Sequence, residues 1–131
     1  MSPGLLASAS RTAVCIWDVN SESKTRDIHQ KLKFENAHGT HDINDARFSP
    51  LNHHLLVTSG SDGHFKVWDL RDNGYKSSLS VQASDNELNV CTFNNLNPYL
   101  VATGGDSDGS IAIWDLRKAS ALLNDLEFHK Q

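Results

Sequence analysis

Three stretches of this chain read alike: "AVCIWD" at 13–18, "HFKVWD" at 64–69 and "SIAIWD" at 110–115. Each closes on Trp-Asp, and Trp17, Trp68 and Trp114 lie 51 and then 46 residues apart. A period of that size constrains the fold more than any other feature, because it calls for one supersecondary unit repeated and stacked on itself. Upstream of each closure runs a second short apolar stretch: "GLLASAS", "HHLLVTSGS" and "PYLVATGG". The paired runs are divided by "SDG" at Ser61–Gly63 and again at Ser107–Gly109, residues that favour a tight turn. The unit is therefore strand, turn, strand. Two more strands fit each interval: "INDARF" (43–48) and "ELNVCTF" (87–93) ahead of the pair, with "KLKF" (31–34), "SLSVQA" (78–83) and "ALLNDLEF" (121–128) behind it. The last has helical propensity, but its place in the repeat argues for a strand.

Composition narrows the functional classes. The chain of 131 residues is 38% hydrophobic and 21% charged, with a formal net charge of −4. That balance disfavours non-specific nucleic-acid binding, which needs a basic face. No apolar run reaches the length of a membrane span, and the first residues lack the pattern of a secretory leader. Cys15 and Cys91 each sit in a short apolar run, which suits small buried thiols in a reducing compartment better than a bridge. His38, His41, His53 and His54 include an H-x-x-H, "HGTH", yet the sequence fixes no third metal ligand. "GGDSDG" is glycine-rich but precedes a strand, so it offers no helix N-terminus to a phosphate. No spacing suggests a nucleophile and its base. The expectation is a chain that is not an enzyme and carries no cofactor or metal.

Four strands per period, with Trp-Asp closing the third, resembles the WD-repeat β-propeller. The resemblance implies an all-β fold of four-stranded antiparallel blades. Residues 4–34 would form an incomplete blade, and 42–83 and 87–128 two full ones. His129 looks like the histidine that opens another blade, so the remaining blades or another chain would cover the open edges. In that family the Trp indole joins a buried network with a Ser/Thr of the second strand, an Asp of the turn and a His ahead of the first strand. His38, Ser59, Asp62 and Trp68 make the middle network complete. The third repeat has Thr103, Asp108 and Trp114, but Ser84 at the histidine position. The first has Ser8 and Trp17, with Arg11 where the turn Asp would stand. A buried polar network stabilises when every member is satisfied, so the middle repeat should be the most rigid.

"HDINDARFSPLNHHLLVTSGSD" and "NPYLVATGGDSDGSIAIWDLRKASALLNDLEFHK" are similar to consecutive blades of the retinoblastoma-associated histone-binding WD-repeat family, which includes the chromatin assembly factor small subunit. The resemblance implies a non-catalytic chaperone subunit in the nucleus, with histones H3 and H4 and chromatin complexes as partners. It maps an H3-tail rim onto Asn44, Ser61, Glu87 and Asn89, of which Asn44 and Ser61 lack the family's usual acids. "WDLR" occurs twice and places Arg71 and Arg117 after the closure. In some nuclear WD proteins this arginine docks the adaptor of a cullin-type ubiquitin ligase; the plainer expectation is pairing with Asp69 or Asp115. The second reading of the chain is accordingly a substrate receptor or assembly scaffold that binds no histone.

Overall fold

In the computed structural model, residues 4–19, 29–71, 77–105, 109 and 111–118 are described. Their strands are β1 (Leu5–Ser10), β2 (Ala13–Asp18), β3 (His29–Phe34), β4 (Ile43–Phe48), β5 (Leu55–Gly60), β6 (His64–Asp69), β7 (Leu79–Gln82), β8 (Leu88–Phe93), β9 (Leu100–Gly105) and β10 (Ile111–Asp115). They hydrogen-bond in chain order into three sheets, β1-β2-β3, β4-β5-β6-β7 and β8-β9-β10. Every pairing is antiparallel. The middle sheet is a complete four-stranded blade, and the whole is an incomplete propeller segment. The strand expected at 121–128, with His129 and Asp108, lies outside the described residues.

The middle sheet is enclosed by the other two, which explains why β5, "LLVTSG", is buried along almost its whole length. Successive side chains of a strand point to opposite faces. Leu56 thus enters one apolar layer, with Val14, Ile16, Phe34, Ile43 and Trp68, between the first and second sheets. Val57 enters the other, with Phe65, Leu88, Cys91, Phe93, Val101 and Trp114, between the second and third. Trp68 stacks on Phe34 at 4.9 Å between ring centroids, and Trp114 tilts against Phe65 at 5.4 Å. Burying each such side chain stabilises the fold by roughly 1.5–3 kcal/mol. The Trp of one blade therefore seals the joint to the blade before it.

The tight turns join neighbouring blades as well as strands. Arg11, Gly63 and Gly109 hold left-handed conformations, with φ of 52°, 80° and 68°. The Arg11 carbonyl accepts the N–H of Ile43 at 2.7 Å, where β4 begins. The Gly63 carbonyl accepts those of Ala83 and Ser84 at 2.8 and 3.0 Å, on the approach to β8. One end of the blades is thereby held in register, and the candidate site stands there.

Candidate interaction rims

Each closure Trp donates its indole N–H to a hydroxyl of the adjacent strand: Trp17 to Ser8 at 2.8 Å, Trp68 to Thr58 at 3.0 Å and Trp114 to Thr103 at 2.9 Å. In the middle blade the hydroxyl is thus Thr58, not Ser59 as the sequence suggested. The reason is register. Leu6, Leu56 and Val101 face the three Trp residues across the strands, and the hydroxyl stands two residues on, where the pleat returns to the same face. Ser59 stands three residues on and faces away. Its hydroxyl is buried towards the Cys91 thiol, with no hydrogen bond of good geometry among the described residues. His38 completes the chain of bonds, with Nε2 at 2.7 Å from Thr58 Oγ1 and Nδ1 at 3.0 Å from Asp62. Asp62 also accepts the His64 N–H at 3.1 Å. Burial lowers the pKa of His38, against the opposing pull of Asp62. Ser84, at the histidine position of the third repeat, instead caps the N–H of Asn86 at 3.0 Å.

Three of the expected rim residues meet where the second sheet joins the third. Asn44 Nδ2 lies 3.3 Å from Glu87 Oε1, 3.1 Å from the Leu88 carbonyl and 3.3 Å from Asn89 Oδ1. The sequence reading took Asn44 for a lost acid. In the structure it is a donor, and an aspartate there would set a second carboxylate against Glu87. Glu87 itself is exposed. Ser61 does not join this group. Its hydroxyl accepts the Asp42 N–H at 3.0 Å, and its own N–H donates to the Asp42 carbonyl at 2.8 Å. Sequence reasoning missed Asp45, whose carboxylate accepts the Cys91 N–H across the joint at 3.2 Å.

Arg71 and Arg117 lie at the other end of the blades, each gripping the acid two residues before it. Arg71 places Nε at 3.0 Å and Nη2 at 2.7 Å from the Asp69 carboxylate; Arg117 matches it on Asp115 at 3.0 and 2.8 Å. These charge-assisted bonds outweigh the opposing effect of burial and hold both carboxyls down to about 2. Arg117 also lies over the Tyr99 ring, 4.8 Å from its centroid. Among the described residues no group of His, Cys, Asp and Glu is arranged to hold a metal ion. Cys15 and Cys91 are free, and burial pushes the Cys91 thiol up to about 12.

Two segments, residues 29–69 and 76–115, match the family described as WD domain, G-beta repeat. They span the second and third Trp-Asp closures and more than half of the chain. This is a WD40-repeat protein. The chain is also similar to the WD-40 repeat-containing protein MSI3 of Arabidopsis thaliana, at 29% identity over 122 residues. That match covers 93% of this chain and 28% of the relative. WD40 proteins are protein-binding scaffolds, usually without catalysis, and the sealed blade joints described above suit that role.

Proposed function

We propose that this WD40 segment belongs to a non-catalytic histone-binding chaperone subunit serving chromatin assembly or modifying complexes in the nucleus. The observation that carries the reading is the Asn44–Glu87–Asn89 cluster, which fixes an exposed carboxylate on the rim at a blade joint. A carboxylate held by a neutral donor keeps its negative charge available to a Lys or Arg side chain. The similarity to an MSI protein over nearly the whole chain supports the same direction, as do the blade motifs read in the sequence. Asn44 and Ser61 add no charge, so the contribution of this segment to H3-tail binding is modest and salt-sensitive.

Binding of H3-tail and H4 peptides to the full-length protein, with and without Glu87→Gln, tests the proposal. The variant should bind the H3 tail several-fold more weakly at low salt, with the difference shrinking as salt rises. Equal H3 affinity would remove Glu87 from the rim. A folded protein with no affinity for either histone would leave the substrate-receptor or assembly-scaffold reading in its place.

A further inference from the structure

We propose that the opposite end of the blades, where the β4–β5 and β8–β9 loops meet, docks an acidic peptide segment carrying a leucine or aromatic side chain. This holds whether or not the rim around Glu87 takes a histone tail.

The two loops are built alike. Ser49 Oγ accepts the N–H groups of Leu51 and Asn52 at 3.3 and 3.1 Å, and Asn94 Oδ1 accepts those of Leu96 and Asn97 at 2.7 and 2.8 Å. Each loop then closes on the next strand, with the Leu55 N–H on the Asn52 carbonyl at 2.9 Å and the Leu100 N–H on that of Asn97 at 3.3 Å. The result is a leucine held outward at the same loop position in both blades. Leu51 is 49% exposed and Leu96 92%. Neither loop needs an apolar side chain there, since the bonds that shape it run through the cap and the backbone. Between the blades lies a groove of about 280 Å3, lined by Asn52, Leu55, Pro98, Tyr99, Leu116 and Arg117. Exposed leucines on hydrogen-bonded loops beside a partly apolar groove are the features of a protein contact rather than of plain solvated surface.

The charge of the occupant follows from which groups face outward. The side chains of Arg71 and Arg117 are 68% and 57% exposed, whereas their partners Asp69 and Asp115 are only 23% and 2% exposed. Each ion pair therefore turns its guanidinium to solvent and its carboxylate inward. Lys118, next in the chain to Arg117, is exposed as well. A guanidinium has five N–H donors and Asp115 takes those of Nε and Nη2, so Arg117 retains donors for a second carboxylate. The Tyr99 ring beneath it keeps the group in place. Acids of the partner would meet this cationic edge while its apolar side chain fills the groove between Leu55 and Leu116.

A random-peptide display library panned against the full-length protein, with depletion on a Leu96→Ser/Arg117→Gln variant, decides the matter. Leu96 is exposed, but removing the Arg117 guanidinium takes bonds from the buried Asp115 carboxylate. The variant should therefore keep the wild-type circular dichroism spectrum while melting lower, and binding is compared at a temperature where both proteins are folded. The expected winners place Asp or Glu beside Leu, Phe or Trp. A synthesised winner should bind the variant on the order of tenfold more weakly, and bind wild type less tightly as salt rises. Glu87→Gln should leave that affinity unchanged. Winners dominated by Lys and Arg, or no winner that distinguishes the two proteins, would overturn the proposal.

Discussion

The Thr58 hydroxyl has one hydrogen to give, and its neighbours decide where it goes. Trp68 Nε1 can only donate to it, and the Asp62 carboxylate can only accept from His38 Nδ1. His38 therefore carries its proton on Nδ1, and the Thr58 hydrogen points to Nε2. A proton added to Nε2 would turn that acceptor into a donor and leave the buried Thr58 hydrogen without a partner, which adds to the cost of burying charge. The pH dependence follows. Above 6.5 the imidazole is neutral in both the folded and the unfolded chain. As pH falls through 6.5 the unfolded chain takes up a proton first, because burial lowers the pKa of His38 in the folded state, and folding stability drops. The denaturant midpoint should fall between about pH 7 and about pH 5. His38→Gln should be less stable at pH 7 but show a flatter decline. Parallel declines in the two proteins would remove His38 as the source. The network was legible in the sequence as a set of residue types, but the choice of Thr58 over Ser59 was not. It depends on which residue lies across from Trp68, and that register is fixed by pairing rather than by distance along the chain. What Asn44 contributes was hidden for a related reason: it donates to another blade, and the sequence does not place that blade beside it.

The turns are the elements that commit one blade to the next. Gly63 takes φ of +80°, and a Cβ built on it would overlap the Ser84 carbonyl oxygen and stand 2.6 Å from that of Asn86. Any side chain there strains its own backbone and pushes away the segment leading to β8. Gly63→Ala should therefore destabilise by about 2 kcal/mol or more, counting left-handed strain and the loosened grip on Ala83 and Ser84. The same substitution at Gly109, where nothing among the described residues lies within 4 Å of the built Cβ, should cost only the conformational term of about 1 kcal/mol. Chemical unfolding of the two variants checks this, and equal losses would show that the inter-blade contact contributes nothing. Strand positions were easy to read in the sequence because both signals, paired apolar runs and Ser-Asp-Gly turns, are local. Arg11 shows the limit of that approach. It aligns with Asp62 when counted from Trp17, yet the first turn is shorter, and Arg11 takes the left-handed place that Gly63 fills in the second.

Across the whole molecule, the surfaces that end the stack repeat the positions that seal it inside. Val14, Phe65 and Ile111 each stand three residues before the closure Trp. Val14 and Phe65 are fully buried against the following sheet, whereas Ile111 is 48% exposed and Val90, on the same outer face, 52%. At the other end Leu6 is 53% exposed beside Trp17, a half-buried indole held by Ser8 as its counterparts are held in the sealed joints. Both outer faces carry the chemistry of a blade joint with no blade of the described residues upon them. The chain spans 28% of the length of MSI3, and further blades of the same type would fit either face. Expressed by themselves, the 131 residues should associate as concentration rises, because exposed apolar area of this kind drives contact. Val90→Lys with Ile111→Lys sets two like charges on the outer face and should weaken association by at least about tenfold, which is 1.4 kcal/mol. Since both sites are exposed, the unfolding midpoint should move little, within about 0.5 kcal/mol per site. Sedimentation velocity over a concentration series measures the first effect and chemical unfolding the second. A chain that stays monomeric at every concentration, or a variant that associates as wild type does, would show that the third sheet's outer face is not an unfilled joint.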